Sequence, residues 1–347
     1  MDFHHVHFYV DDAQTWCDWF IHTLLFQPVT APLSHLGMAH SRWVQQDQIL
    51  IRLSSPQSED DAIAAYLAQH SPGIVDVAFA VTDLEAQVAQ ATAAGARLIQ
   101  PIQAEPRWCQ VSGWGPLRHT LVEQSVASSG AALLECIDHA VLNVPAGSLE
   151  AAARWYAQAF GLELQQTFQI QTAASGLCSQ VLVHPQGRVQ LPINEPSTPN
   201  SQIQEFLEHH CGPGIQHLAL RSRQLVSAIA TLRSRGLSLL PVPETYYQQL
   251  PLRCGYRLGL ADWQAIARQQ ILVDWPAQQP AALLLQTFTQ PIFGRPTFFF
   301  ELIERRCYQE RGQTKTATGF GEGNFQALFE AIEREQQARG SLLPLHG

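Results

Sequence analysis

Two short patterns, each written twice, constrain this chain more than any other feature. Residues 4–21 read HHVHFYVDDAQTWCDWFI, and residues 138–157 read DHAVLNVPAGSLEAAARWYA. Each is a brief β-like run, a valine, a small polar loop and a helical stretch carrying tryptophan. Residues 73–97 read GIVDVAFAVTDLEAQVAQATAAGAR, and residues 214–236 read GIQHLALRSRQLVSAIATLRSRG. Here Gly-Ile opens an apolar strand, a helix follows, and a glycine stands where a left-handed residue ends a helix. The order is A, B, A′, B′, with His5 71 residues before Asp76 and His139 78 before His217. Such self-similarity predicts that the two halves fold alike.

Between the repeats lie further β-rich stretches at 48–53, 119–124, 178–191, 281–289 and 297–304. Together these predict βαβββ units. The expected class is α+β, with two domains of paired modules over 1–130 and 131–347. Open, curved mixed sheets would surround a central cavity. Ala127-Ser128-Ser129-Gly130 is the expected linker.

Composition narrows the function classes. Of 347 residues, 46% are hydrophobic and only 15% charged, which provides cores and excludes a disordered chain. The net charge is −9 with no basic stripe, so no nucleic-acid partner is expected. No apolar run reaches the ~18 residues of a membrane span, so no membrane association is expected. The amino terminus lacks a basic region followed by an apolar one and does not read as a secretory signal. Seven scattered cysteines without a CxxC pair argue against zinc ribbons and disulfide frameworks, and for reduced thiols in a cytoplasmic protein.

Three residues of the second half stand out. His139 sits in IDHAV, His217 in GIQHLAL and Glu301 in FFFELI, each a polar residue in an otherwise apolar strand. A carboxylate there is costly to bury unless paired or metal-bound. Period-two parity puts His139 with Ile137 and Val141, His217 with Ile215 and Ala219, and Glu301 with Phe299 and Ile303. If the modules stack symmetrically, the three side chains converge. Two imidazoles and one carboxylate with open positions are the facial triad of non-haem Fe(II) oxygenases. A single strand histidine is more often a satisfied core residue than a ligand, and both readings stand for each alone. Glu304, of opposite parity, is expected to face solvent, as are His209 and His210. His4, His5 and His7 could mimic a metal site, but Asp76 stands in the place of His217 and no third ligand is evident. The first half reads as a structural relic of duplication.

The second half resembles the 4-hydroxyphenylpyruvate dioxygenase family of the vicinal oxygen chelate superfamily. The resemblance is carried, in order, by IDHAVLNVP (137–145), LPINEP (191–196), SQIQEFLEHHCGPGIQHLAL (201–220), PVPETYYQQL (241–250), LLLQTF (283–288), GRPTFFFELIER (294–305) and GFGEGNFQALFEAIE (319–333). It implies that His139, His217 and Glu301 ligate Fe(II). It also implies a substrate pocket containing Ser179, Asn194, Gln202, Gln216, Gln286, Phe288, Phe320 and Phe325, with Asn324 in the loop before the last helix. Parity agrees for Gln286 and Phe288 but not for Gln216, which needs a bulge beside His217. Phe325, Leu328, Phe329 and Ile332 recur at helical spacing, an amphipathic helix that the resemblance makes a lid. Glycines 319, 321 and 323 form a hinge before it, not a phosphate loop. The stretch 307–321 is more polar than is usual in the family, and Glu322 stands where lysine is common.

The implied reaction converts 4-hydroxyphenylpyruvate and O₂ to homogentisate and CO₂, serving tyrosine catabolism or plastoquinone and tocopherol precursor supply. The implied assembly is a homo-oligomer, dimer or tetramer. Three alternatives share the fold: a hydroxymandelate synthase using the same substrate, a non-catalytic binding protein, and a zinc or nickel lyase of the glyoxalase type. The bulky Phe288 favours the dioxygenase over the synthase. The lyase would need matched ligands from the first half, which are lacking.

Overall fold

The structure, a computed structural model, describes residues 1–32, 41–128, 130, 132–172 and 174–340. Ser129 of the expected linker and the last seven residues of the expected second domain lie outside the described residues. The first sheet comprises β1 (Asp2–Tyr9), β2 (Gln27–Pro28), β3 (Ser41–Gln46), β4 (Ile49–Ser54), β5 (Gly73–Ala80), β6 (Leu98–Gln103), β7 (Trp108–Ser112) and β8 (Arg118–Val122). The second comprises β9 (Cys136–Asn143), β10 (Glu163–Gln171), β11 (Gly176–Val183), β12 (Gln190–Pro196), β13 (Gly214–Arg221), β14 (Leu272–Asp274), β15 (Leu284–Phe288) and β16 (Phe299–Arg305). The helices are α1 (Ala13–Leu24), α2 (Ala62–Leu67), α3 (Leu84–Ala93), α4 (Leu149–Phe160), α5 (Gln202–His210), α6 (Leu225–Ser234), α7 (Glu244–Gln249), α8 (Leu260–Arg268) and α9 (Glu322–Arg339). A separate hairpin, β17 (Cys307–Glu310) with β18 (Gln313–Thr316), precedes α9.

The repeats fold as the sequence predicts. The strand orders, β2-β3-β4-β1-β5-β8-β7-β6 and β10-β11-β12-β9-β13-β16-β15-β14, are the same path drawn twice. Each sheet centres on an antiparallel pair, β1 with β5 and β9 with β13, flanked by parallel partners. The symmetry extends to caps. Glu123 accepts from the Leu84 amide at the start of α3, and Glu304 from the Leu225 amide at the start of α6. A carboxylate so placed satisfies an orphan donor and opposes the helix dipole. Glu304 is therefore buried on the helix-covered side of the sheet, which corrects its expected solvent exposure.

Bulges repeat as well. Register shifts leave Asp138 the extra residue of β9 and Gln216 the extra residue of β13. In the first sheet the shifts fall at the equivalent points, His4 on β1 and Val75 on β5. A bulge brings two neighbouring side chains toward one face. This is the irregularity that Gln216 needs to accompany His217.

The predicted β stretch 178–191 is not one strand. His184 bonds back to Val189 across a turn containing Pro185 and Gly187, which separates β11 from β12. His210 is not solvated either: it ends α5 as a buried residue stacked on Phe206. His209 is exposed, as expected. The glycines predicted past α3 and α6, Gly95 and Gly236, have φ of +92° and +90°.

The first domain buttresses the strand that carries Glu301. Phe8 of β1 packs edge-on against Phe298 at 5.1 Å, Trp16 of α1 against Phe293 at 4.6 Å, and Trp19 stacks on Phe300. These rings bury the approach to β16 in a core shared by both halves.

Candidate metal centre

β9, β13 and β16 lie side by side, with His139 opposite Ala219 and Ala219 opposite Glu301. That register brings three polar side chains to one face of the second sheet. One ligand atom from each of His139, His217 and Glu301 lies within 4.8 Å of the others, and all three residues are buried. Glu301 Oε2 is 3.2 Å from His139 Nε2 and 3.6 Å from His217 Nε2. Cis ligands of an octahedral ion are roughly 3 Å apart for bonds of ~2.1 Å, so this donor set suits a first-row divalent metal.

Each donor is oriented from behind. His139 Nδ1 bonds Asp138 Oδ1 at 3.0 Å, which leaves Nε2 to face Glu301. His217 Nδ1 lies 3.4 Å from Gln216 Oε1, and its ring stacks on Phe299 at 4.7 Å. Gln286 Nε2 donates to Glu301 Oε1 at 2.9 Å, which leaves Oε2 for the imidazoles. Arg305 clamps Asp138 with two bonds of 2.7 Å.

The carboxylates around His139 favour a proton on its imidazole. Burial disfavours the His139 cation, but Glu301 and Asp138 outweigh it and raise the imidazole to about 9. Burial alone would raise Glu301, yet the two histidines hold it down at about 2. His217 is farther from Glu301 and has no second carboxylate, so burial dominates and lowers it. Asp138, though buried, is kept well below the usual carboxylate range by Arg305. Glu301 and Asp138 thus favour the protonated form of His139, and a divalent ion at Nε2 would have to displace that proton.

Four buried polar atoms near this face have no hydrogen-bond partner: Ser179 Oγ, Asn194 Oδ1, Gln202 Oε1 and Asn143 Nδ2. Ser179 pairs with Asn194 across β11–β12, and Asn194 with Asn143 across β12–β9. Asn143 is four residues along β9 from His139, on the same face and roughly 13 Å away at ~3.3 Å per residue. Buried polar groups are normally satisfied, and these four atoms are free to hydrogen-bond a polar group brought to them.

In the first domain the echo of the site is closed. Asp76 accepts from the Thr120 amide at 2.9 Å and from Gln110 Nε2 at 2.7 Å. His7 bonds Ser54, and His4 bonds His5. Among the described residues no second group has metal-binding proximity.

Residues 2–112 and 136–250 match the Glyoxalase/Bleomycin resistance protein/Dioxygenase superfamily. A 4-hydroxyphenylpyruvate dioxygenase of Caenorhabditis elegans is 32% identical, covering 98% of this chain and 93% of its own. The chain belongs to the 4-hydroxyphenylpyruvate dioxygenase family. An uncharacterized protein of Synechocystis sp. is 35% identical over 96% of this chain and 97% of its own. A triple mutant of 4-hydroxymandelate synthase from Streptomyces coelicolor superposes with a TM-score of 0.83 at 26% identity, covering 96% of this chain and 98% of its own.

Phe320 meets His139 edge-on at 5.2 Å, and Asn324 Nδ2 donates to Gln286 Oε1 at 2.8 Å. Phe288 is buried 6.3 Å from Phe299, one ring removed from His217. Phe325 packs on Phe168 in a cluster with Ile203 and Phe206, and no ring contact joins it to His139 or His217. Asp138, Asn143, Phe299 and Arg305 also line or support this face and are not among the residues expected from the sequence. Asp138 and Asn143 carried the same signal as His139, a polar residue in the apolar run of β9.

Proposed function

We propose that this chain is an Fe(II)-dependent dioxygenase that converts 4-hydroxyphenylpyruvate and O₂ to homogentisate and CO₂. The observation that carries the reading is the pairing of a buried His139/His217/Glu301 set with a row of unsatisfied polar atoms on the same face. One arene ring with a short acid chain spans that separation once metal and hydrogen-bond contacts are added at its ends.

Charge supports an anionic ligand. Arg305 cancels Asp138, and a divalent ion beside Glu301 leaves one net positive charge in a buried site. A 2-oxo acid anion neutralises it. This is how a chain of net charge −9 would hold an acidic substrate.

His139, His217 and Glu301 would hold the ion. When bound, Fe(II) supplies the redox chemistry that lets O₂ and a 2-oxo acid react at one centre. The protein does the rest by position. Asp138 keeps the His139 proton on Nδ1, and Gln286 keeps Oε2 of Glu301 inward. Asn194 Oδ1 and Gln202 Oε1 can accept from the substrate's ring hydroxyl, while Ser179 Oγ can accept or donate. Phe288 and Phe325 would bound the ring. Phe320 and α9 exclude water above His139. Both oxygen atoms of O₂ enter homogentisate, one in its carboxylate and one on its ring.

A second reading, hydroxymandelate synthase, is favoured by the structural likeness to that enzyme. A cytoplasmic homo-oligomer is part of either reading. The deciding experiment is O₂ uptake by Fe(II)-reconstituted protein given 4-hydroxyphenylpyruvate, with chromatographic identification of the product. Homogentisate supports the proposal, hydroxymandelate transfers it to the synthase, and no uptake by folded, iron-loaded protein leaves a binding protein.

A further inference from the structure

Arg305 ends β16, four residues after Glu301 and on the same face. Its guanidinium is committed in two directions. Nε and Nη2 grip the two oxygens of Asp138, each at 2.7 Å, and Asp138 holds His139 Nδ1 at 3.0 Å. Nη1 donates to the Gly319 carbonyl at 2.7 Å, and the guanidinium carbon lies 5.9 Å from the centre of the Phe320 ring. Phe320 in turn closes over His139. Gly319, with φ +84°, and Phe320 belong to the short connection from β18 to α9.

We propose that Arg305 is a positioning residue that couples seating of the 317–321 connection to the orientation of His139. It rests on the metal reading of His139. The fork of an arginine is planar and rigid, so satisfying both oxygens of Asp138 fixes where Nη1 points. With the connection seated, that direction meets the Gly319 carbonyl and the ion pair stays dry. With the connection lifted, Nη1 loses its acceptor, water reaches the pair, and Asp138 holds the imidazole less firmly. Ligand geometry and closure therefore favour each other, and the effect is reciprocal: a bound metal tightens the connection as much as the connection tightens the metal site. A lysine has one point of charge and cannot do both.

The test uses full-length wild type, Arg305→Lys, and the double variant Arg305→Gln/Asp138→Asn, which removes both charges and leaves neither buried alone. Co(II) serves as the probe metal. Two readouts are taken: Co(II) affinity with its visible spectrum, and amide hydrogen exchange over 317–325 with and without Co(II). In wild type, Co(II) should slow exchange over 317–325 about 10-fold. In both variants that added protection should vanish, Co(II) affinity should fall about 10- to 100-fold, and the spectrum should shift, while exchange in β9 and β13 of the metal-free protein stays as in wild type. Faster exchange over 317–325 with unchanged Co(II) affinity and spectrum would show a merely structural role and overturn the inference. So would metal-induced protection equal to wild type in either variant that folds. Absence of Co(II) binding by wild type itself would instead sink the metal reading.

Discussion

Asp138 and Gln216 are matched residues: each is the extra member of a bulge, and each reaches the Nδ1 of the histidine that follows it, at 3.0 and 3.4 Å. They are not equivalent in energy. Asp138 is a buried charge gripped by Arg305, whereas Gln216 makes one long, neutral contact. Asp138→Leu strands the Arg305 cation and is expected to cost metal-free protein about 3–5 kcal/mol. Gln216→Leu is expected to cost about 1 kcal/mol. Urea unfolding of the two variants checks this; equal losses would contradict the assignment of Asp138 as half of a desolvated ion pair.

Metal uptake should depend steeply on pH. With His139 raised to about 9, binding below that pH must expel its proton. Apparent affinity should therefore rise about tenfold per pH unit toward 9 and flatten above it. Calorimetry in buffers of different ionisation enthalpy should record one proton released per ion at neutral pH. The same shift bears on metal-free stability. The folded value lies above the ordinary 6.5 of a histidine, so this contribution is fully present below about 6.5 and is lost as pH rises through about 9. No proton release would place the proton elsewhere.

Gly321 starts α9 with φ +66°, and a Cβ there would stand 2.5 Å from Gln286 Oε1. Gly321→Ala must push aside the amide that orients both Glu301 and Asn324. The expected result is a loss of about 1–3 kcal/mol together with weaker metal binding. Gly340→Ala, at the far end of α9 with open space around it, should leave metal affinity untouched. Equal metal affinity in the two variants would argue against the Gln286 contact.

Phe288 lies one ring away from His217. Under the proposed function, Phe288→Val should shift product toward benzylic hydroxylation, read as the hydroxymandelate to homogentisate ratio. An unchanged ratio would show that this side chain does not steer the oxidation.

Local signals made much of this legible from the sequence. The twofold writing of β1–α1 and β5–α3 as β9–α4 and β13–α6 foretold the matched sheets, and polar residues within mostly apolar strands marked His139, His217 and Glu301. What escaped depends on partners distant along the chain. Glu304 looked solvated because parity alone cannot reveal the Leu225 amide it caps, 79 residues earlier. Nothing local marks Arg305, because its partner Asp138 stands 167 residues before it. His210 looked exposed until the ring of Phe206 and the close backbone of Gly214 covered it. The bulge at Gln216 broke period-two parity, which assumes an unbroken ladder.

Everything proposed for the second domain depends on His139, His217 and Glu301 sharing one ion. X-ray absorption on Fe(II)- or Co(II)-titrated wild type and Glu301→Ala tests it most directly. One ion per wild-type chain is expected, in a nitrogen and oxygen shell that includes two imidazoles, with no stoichiometric binding in a Glu301→Ala variant that still melts cooperatively. Unchanged stoichiometry and shell in that variant would contradict it.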